Sequence, residues 1–329
     1  MNQQKGFYKN FFNIYVALVL QNIITISVNL ADNVMLGAYS ETALSGAAAV
    51  NQIQFVYQQL LLALGDGLVI FCSQYWGKKQ TGPMKKIAAI AMYAAIFIAV
   101  VLFGLVSFFP YQAVGIFTTD GQIIEAGVSY LNVIRFTYLF FAITQILLAT
   151  MRSVETVKIA FQLSVMTFFV NCGINYVLIF GHFGAPELGI VGAAIGTLTA
   201  RIMEIIVLIF YIKKKDKKLQ IRLSDYFSLD KQLAKDYTKI TAPMVFTQGL
   251  WGVNTALQTA ILGHMTATAI AANSAASTLF LLMKSTAVGA ASTASIIIGK
   301  AIGVGDIEQV KSYAKRLQRL FIFIGVCSG

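Results

Sequence analysis

The chain is a succession of long apolar runs divided by short polar breaks. Eight runs are complete, at roughly 11–37, 44–77, 87–109, 126–151, 159–181, 188–212, 240–262 and 267–299, and a ninth begins at 317. Each complete run exceeds about 18 residues, enough for a helix to cross a hydrocarbon layer of ~30 Å. Backbone N–H and C=O groups in that medium must be satisfied within the segment, so the runs predict helices. Runs 87–109, 159–181 and 240–262 carry no charged side chain. The first run is too long for the apolar region of a signal peptide and lacks a convincing cleavage site, which predicts a retained helix.

The polar breaks differ in charge. Lys5 and Lys9 precede the first run; Lys78, Lys79, Lys85 and Lys86 follow the second; Arg152 and Lys158 follow the fourth. Further basic residues fill 213–239 and the stretch from Lys300 to Arg319. The alternate breaks near 38–43, 110–125, 182–187 and 263–266 hold none, and of 25 Lys and Arg only Arg135, Arg201 and Lys284 lie within runs. By the positive-inside rule this predicts a multi-pass protein of the plasma membrane with a cytoplasmic N-terminus. The longest polar segment, 213–239, reads as a linker followed by a surface helix. Ser228 is its expected N-cap, Asp230 lies in the first turn, and Leu229, Leu233 and Tyr237 share a face.

Composition sharpens this. A length of 329 residues suggests about two soluble domains. A charged fraction of 12% is half the soluble average of about 25%, and 57% of the residues are hydrophobic. Mean hydropathy is +0.71. A soluble enzyme, a disordered chain and a secreted disulfide module are thereby excluded. The net charge of +11 would suggest nucleic acid in a soluble protein; here topology accounts for it, and no nucleic-acid partner is expected. Cys72, Cys172 and Cys327 are odd in number and far apart, with no disulfide or metal spacing. HExxH, paired histidines and CxxC are absent, so neither an enzyme nor a cofactor is expected. His182 and His264 read as surface residues.

A shift of 226 positions gives a weak self-match. VMLGAYSETALSGAAA at 34–49 lies over AILGHMTATAIAANSA at 260–275, and Gly77 lies over Gly303. Six runs separate the copies, so both begin on the same face: a parallel repeat about an axis along the membrane normal. Two such units would make about 452 residues, so the chain is expected to stop within the third helix of its second unit. After Arg319 only ~12 Å of apolar helix remains. The expected architecture is all-α and polytopic, with two parallel six-helix repeats, the second incomplete: eight full transmembrane helices and the start of a ninth. The expected organisation is a six-helix lobe over 1–212, a linker over 213–239 and a partial second lobe over 240–329.

Several segments resemble the multidrug and toxic compound extrusion (MATE) family. They are NLADNVMLGAYSETALSGAA, SQYWGKKQ, NCGINYVLIFGHFGAPELGIVGAAIGTLTAR and APMVFTQGLWGVNTALQTAILGHM. RSVETVK at 152–158 is similar to the family's loop after the fourth span and reads as structural. The resemblance implies a twelve-helix antiporter that exports organic, often cationic and aromatic, compounds in exchange for Na⁺ or H⁺. It implies small organic substrates, the lipid bilayer as surroundings, and a monomer. Two alternatives are a lipid-linked saccharide flippase of the same superfamily, which would favour more cationic residues in the cavity, and a non-transporting fragment.

Ionisable groups within spans are functional candidates by default. Asp32 ends a stripe of Asn22, Thr25 and Asn29 on one helical face. The repeat carries this stripe onto Gln248, Trp251, Thr255 and Gln258, without a carboxylate. At 1.5 Å per residue, Asp32 lies about 8 Å, Asn175 about 9 Å, Thr197 about 13 Å and Asn171 about 15 Å in from the outer ends of their spans. Four oxygen-bearing groups are therefore expected to converge, suited to a hard cation such as Na⁺ or to a proton on Asp32. The resemblance implies a cation site on the same four positions, with Asn175 where many members have a second acid and Gln248 where relatives often have Glu. Asn51, Gln54 and Gln58 form a further stripe expected to line the cavity. Arg201 and Glu204 are spaced to pair; Asp66 and Lys284 have no evident partner.

Overall fold

The computed structural model describes residues 2–262 and 267–328. His264 and its break lie outside them, as do the side chains of 267–275 that carry the repeat match. Among the described residues there are eleven α-helices and no strand: α1 (Asn2–Tyr39), α2 (Glu41–Gly77), α3 (Thr81–Phe108), α4 (Pro110–Gly115), α5 (Gly121–Ile134), α6 (Thr137–Ser153), α7 (Lys158–Phe180), α8 (Gly189–Lys214), α9 (Lys231–Leu262), α10 (Ala267–Val304) and α11 (Ile307–Ser328).

Local chemistry sets several boundaries. Ser40 caps α2 by accepting from the Ala43 N–H, and Asp120 caps α5 by accepting from Gln122 at 2.8 Å. Asp230, rather than Ser228, caps α9, accepting from Gln232 at 3.0 Å and Leu233 at 3.2 Å. The expected surface helix is not separate: Leu233 and Tyr237 belong to the first turns of α9, which runs unbroken into the seventh span. No polar turn intervenes, so the helix continues through both segments, with Pro243 removing one N–H from its hydrogen-bond ladder.

The fourth run is also not one straight helix. It bends by 52° between α5 and α6. The Arg135 guanidinium at the bend lies over the rings of Phe136 and Phe103, at 5.4 and 5.7 Å. The Thr137 hydroxyl donates to the Ile134 carbonyl at 2.6 Å, satisfying an acceptor at the break.

Among the described residues, six helices are long and apolar enough to cross a membrane, or seven if the bent α5–α6 pair is one span. This is fewer than the eight complete spans read from the sequence. α9 is long enough at 32 residues, but Gln248, Asn254 and Gln258 lower its hydropathy. α11 carries Lys311, Lys315, Arg316 and Arg319.

α2 is the central helix. Its Tyr57 hydroxyl donates to the Tyr138 carbonyl at 2.6 Å, and Tyr237 of α9 donates to the Leu64 carbonyl at 2.8 Å. Where α2 crosses α10, Gly77 lies on the Lys300 carbonyl and Gly303 on the Gln74 carbonyl. Gln74 and Lys300, like Gly77 and Gly303, are 226 positions apart. The contact is thus self-complementary under the repeat, as two-fold packing requires. α3 and α11 also begin 226 positions apart, at Thr81 and Ile307.

The basic breaks gather at this end of the molecule. Lys300 pairs with Glu155 at 2.9 Å, Lys85 with Asp225 at 2.9 Å and Lys86 with Asp230 at 3.4 Å. Lys218 donates to the Val154 carbonyl, drawing the linker over the α6–α7 turn. Arg316 lies over Phe7 at 5.5 Å, so the start of α1 shares the same end.

Burial raises the Asp225 carboxyl, but the Arg222 backbone N–H and the Lys85 ammonium outweigh it, and the net shift is below the ordinary 3.8. A lowered folded value means this contact is fully present above the unfolded carboxylate range and is lost as pH falls through the folded value. Linker amides around Arg222–Asp225 are therefore expected to keep equal hydrogen-exchange protection from neutral pH down through the ordinary carboxylate range, and to lose it only below that range. Asp225→Asn is expected to lose it at neutral pH.

Candidate functional site

α1, α7 and α8 bring four side chains into one chain of hydrogen bonds. The Asn175 amide donates to Asp32 Oδ1 at 2.6 Å and to Asn171 Oδ1 at 3.3 Å. The Asn171 amide donates to Thr197 Oγ1 at 3.1 Å. Asn171 and Asn175 are one helical turn apart on α7 and are 1% and 0% exposed, so protein groups rather than bulk water must satisfy them. Asn175 Oδ1 has no hydrogen-bond partner among the described residues, leaving one buried oxygen free to accept a proton donor or a cation.

Small residues make this approach feasible. Gly192 and Gly196 of α8 are four apart and face α7, the arrangement that lets membrane helices pack closely. Gly192 lies on the Leu178 carbonyl and Gly196 on the Asn175 carboxamide. A Cβ at 196 would occupy the position of Asn175 Oδ1. Gly196→Ala is expected to cost about 1–3 kcal/mol through overpacking. Its signature is a lowered melting temperature, together with loss of whatever ion dependence the native protein shows.

The network forms one wall of a cavity of about 290 Å³ between α1, α2, α5–α8 and α9–α10. Asn22, Thr25, Asn29, Asn51, Gln54, Gln58, Gln248 and Trp251 are among its lining residues. Asp32, Asn171 and Thr197 line it too, whereas Asn175 stands behind them. A larger cleft of about 770 Å³ between α2, α3, α4 and α9 is almost wholly apolar, with Gln112 its main polar group, and offers little chemistry.

The charged groups fall into place around this cavity. Arg201 pairs with Glu204 at 2.7 Å, as their spacing predicts, and Arg201 also lies 4.9 Å from the Phe141 ring. Asp66 faces the Arg152 guanidinium. Arg152, read from sequence as a loop anchor, is a cavity residue near the end of α6. Lys284 lies over the Trp251 ring, 3.0 Å from its centroid, and Trp251 leans on Phe55 at 5.4 Å.

Sequence reasoning missed Tyr130, which lines the same cavity as Thr197 from α5. A single tyrosine in an apolar run carries no signal until the bend at Arg135 aims α5 at α8. The role of Arg152 was equally hidden, because a basic residue at the end of a run looks like an interface anchor. His182 is exposed and stacks on Tyr176 at 4.3 Å, a surface position as expected.

The fold is that of a polytopic helical membrane protein with an enclosed polar cavity. The MatE family profile matches residues 17–177. Over that stretch the chain is similar to the multidrug and toxic compound extrusion family.

A probable multidrug resistance protein NorM of Thermotoga maritima is 28% identical over 204 residues, covering 60% of this chain and 42% of the relative. The uncharacterized transporter YisQ of Bacillus subtilis is 23% identical, covering 91% and 65%. The chain thus spans less than two thirds of the length of these two relatives. A NorM of Listeria monocytogenes is 24% identical, covering 98% and 71%. Among solved structures, a MATE protein in the bent conformation superposes with a TM-score of 0.86 at 16% identity, covering 98% of this chain and 71% of that one. A MOP superfamily transporter from Pyrococcus furiosus, described as having a binding pocket of reversed polarity, superposes with a TM-score of 0.83 at 16% identity, covering 97% and 70%.

Proposed function

We propose that this protein is a secondary active antiporter that exports organic, often cationic and aromatic, compounds in exchange for H⁺ or Na⁺, with Asp32 as the coupling carboxylate. The observation that carries the proposal is the chain Asp32–Asn175–Asn171–Thr197 at the wall of a cavity shared by α1–α8 and α9–α10.

The mechanism follows from what these groups can hold. Asp32 is the one acid of the network, and its acceptor atoms are met by an amide rather than a basic side chain. A proton or a hard cation arriving at Asp32 competes with the Asn175 amide for the same oxygen. Binding therefore reorganises the contact of α1 with α7. That supplies the differential interaction between two states that coupled exchange needs. With the oxygens of Asn171, Asn175 and Thr197 the site offers an oxygen donor set for Na⁺, though with a single negative charge. A proton needs only Asp32.

In this reading α1–α8 make one lobe, 213–239 the inter-lobe linker and α9–α11 part of the second. The basic end faces the cytoplasm and the membrane is the plasma membrane. The protein acts as a monomer on small organic substrates and needs no cofactor. The flippase alternative draws less support. Arg152 adds a cation to the cavity, but Arg152 and Arg201 each face a carboxylate, Asp66 and Glu204. Counterflow of a fluorescent dye in proteoliposomes, with the H⁺ and Na⁺ gradients imposed separately, tests the proposal. Dye movement driven by one gradient supports it, and movement indifferent to both overturns it.

A further inference from the structure

The two sides of the cavity are charged differently. The α1–α8 side holds three carboxylates, Asp32, Asp66 and Glu204, with Arg152 and Arg201 opposite two of them. The α9–α10 side presents one charged group, Lys284, and no carboxylate among the described residues. The repeat makes the asymmetry explicit. Asp32 and Asp66 correspond to Gln258 and Ser292, whereas Lys284 corresponds to Gln58.

Lys284 makes no ion pair among the described residues. Its ammonium rests on the Trp251 ring instead, and that ring is backed by Phe55. A cation on an aromatic face gains less where it is partly solvated than a desolvated carboxylate partner offers. Gln248 lies one turn before Trp251 and opens on the same cavity. Asn22 donates to the Ser285 carbonyl and ties α1 to α10 at this level, so Lys284 has a fixed base.

We propose that Lys284 and Trp251 form an anion-recognising subsite, and that the compounds this cavity takes include aromatic carboxylates. The carboxylate pairs with Lys284 and the ring packs on Trp251 and Phe55. A compound that is only cationic meets Lys284 as a like charge and must displace it from the Trp251 face. The inference rests on the transporter reading, but binding without a gradient tests it separately.

The test is calorimetric titration of the detergent-solubilised chain with 2-naphthoate, its neutral amide 2-naphthamide and tetraphenylphosphonium. The wild type is expected to bind 2-naphthoate more tightly than 2-naphthamide. Lys284→Met is expected to weaken 2-naphthoate by about 10- to 100-fold, the range for a charge-assisted hydrogen bond. It should leave 2-naphthamide unchanged and tighten tetraphenylphosphonium. Lys284→Arg keeps the charge and is expected to retain 2-naphthoate within about threefold, which separates charge recognition from a folding defect. Equal 2-naphthoate affinity in wild type and Lys284→Met, or no 2-naphthoate binding by the wild type, overturns the inference. Tetraphenylphosphonium binding by the wild type in either of those cases leaves the transporter reading standing, whereas failure of gradient-driven dye counterflow alone counts against that reading only.

Discussion

Asp32→Asn is expected to disconnect efflux from the ion gradient in proteoliposomes, lowering gradient-driven dye export by roughly 5- to 150-fold for a coupling of about 1–3 kcal/mol. The amide is nearly isosteric and keeps one oxygen to accept from Asn175, so the hydrogen-bond chain has a route to persist. What it loses is the charge that a proton or Na⁺ neutralises. Dye affinity measured without a gradient is expected to change little, because the cavity side at Trp251 and Lys284 is untouched. Undiminished gradient-driven export by Asp32→Asn would remove Asp32 from the mechanism. A variant that neither folds nor binds dye is distinguished by its melting temperature and by Asn175→Ala, which deletes the partner and keeps the acid.

The second large effect is expected at the crossing of α2 and α10. Gly77→Val and Gly303→Val each force a branched side chain against a backbone carbonyl of the other helix. Neither carbonyl can rotate away without breaking its own helix, so the helices must part. Overpacking of this kind costs about 1–3 kcal/mol, and somewhat more where backbone is the obstacle. The costs are expected to be sub-additive in the double variant, since helices already parted by one valine accommodate the second. Parting would also stretch the Lys300–Glu155 pair at the same end. Thermal unfolding of the two single variants and the double variant measures the coupling. Labelling of a cysteine placed at Ser73, which is 0% exposed beside Gly299, reports the opening. Additive costs with unchanged labelling would show that the crossing is not a closed contact.

Both effects grow from features that were visible in the sequence to different degrees. The stripe Asn22, Thr25, Asn29, Asp32 and the pair Asn171, Asn175 follow from helical periodicity, because groups three or four apart must share a face. Once run lengths place them at similar depths, convergence of their helices is a short step. Arg201 and Glu204 were legible for the same reason. The partners of Asp66 and Lys284 were not. Arg152 is 86 positions from Asp66, and Trp251 is 33 from Lys284, with a helix boundary between them. Local spacing has nothing to say about such pairs.

The sequence by itself determined that the chain is helical and crosses a membrane, which of its breaks are basic, and that a 226-residue period relates Gly77 to Gly303. These follow from hydropathy and from the need to satisfy every backbone group within a span, both local conditions. Only the tertiary structure decided that α5 and α6 bend at Arg135, that α9 runs from the linker into the seventh span, and that Tyr130 and Thr197 line one cavity. It alone decided that the two repeat-related glycines touch and that Lys284 rests on Trp251 without a carboxylate. Those outcomes depend on how helices cross. In a membrane that is set by close contact of small residues and by the pairing of buried polar groups, which the apolar pattern of a single helix does not encode.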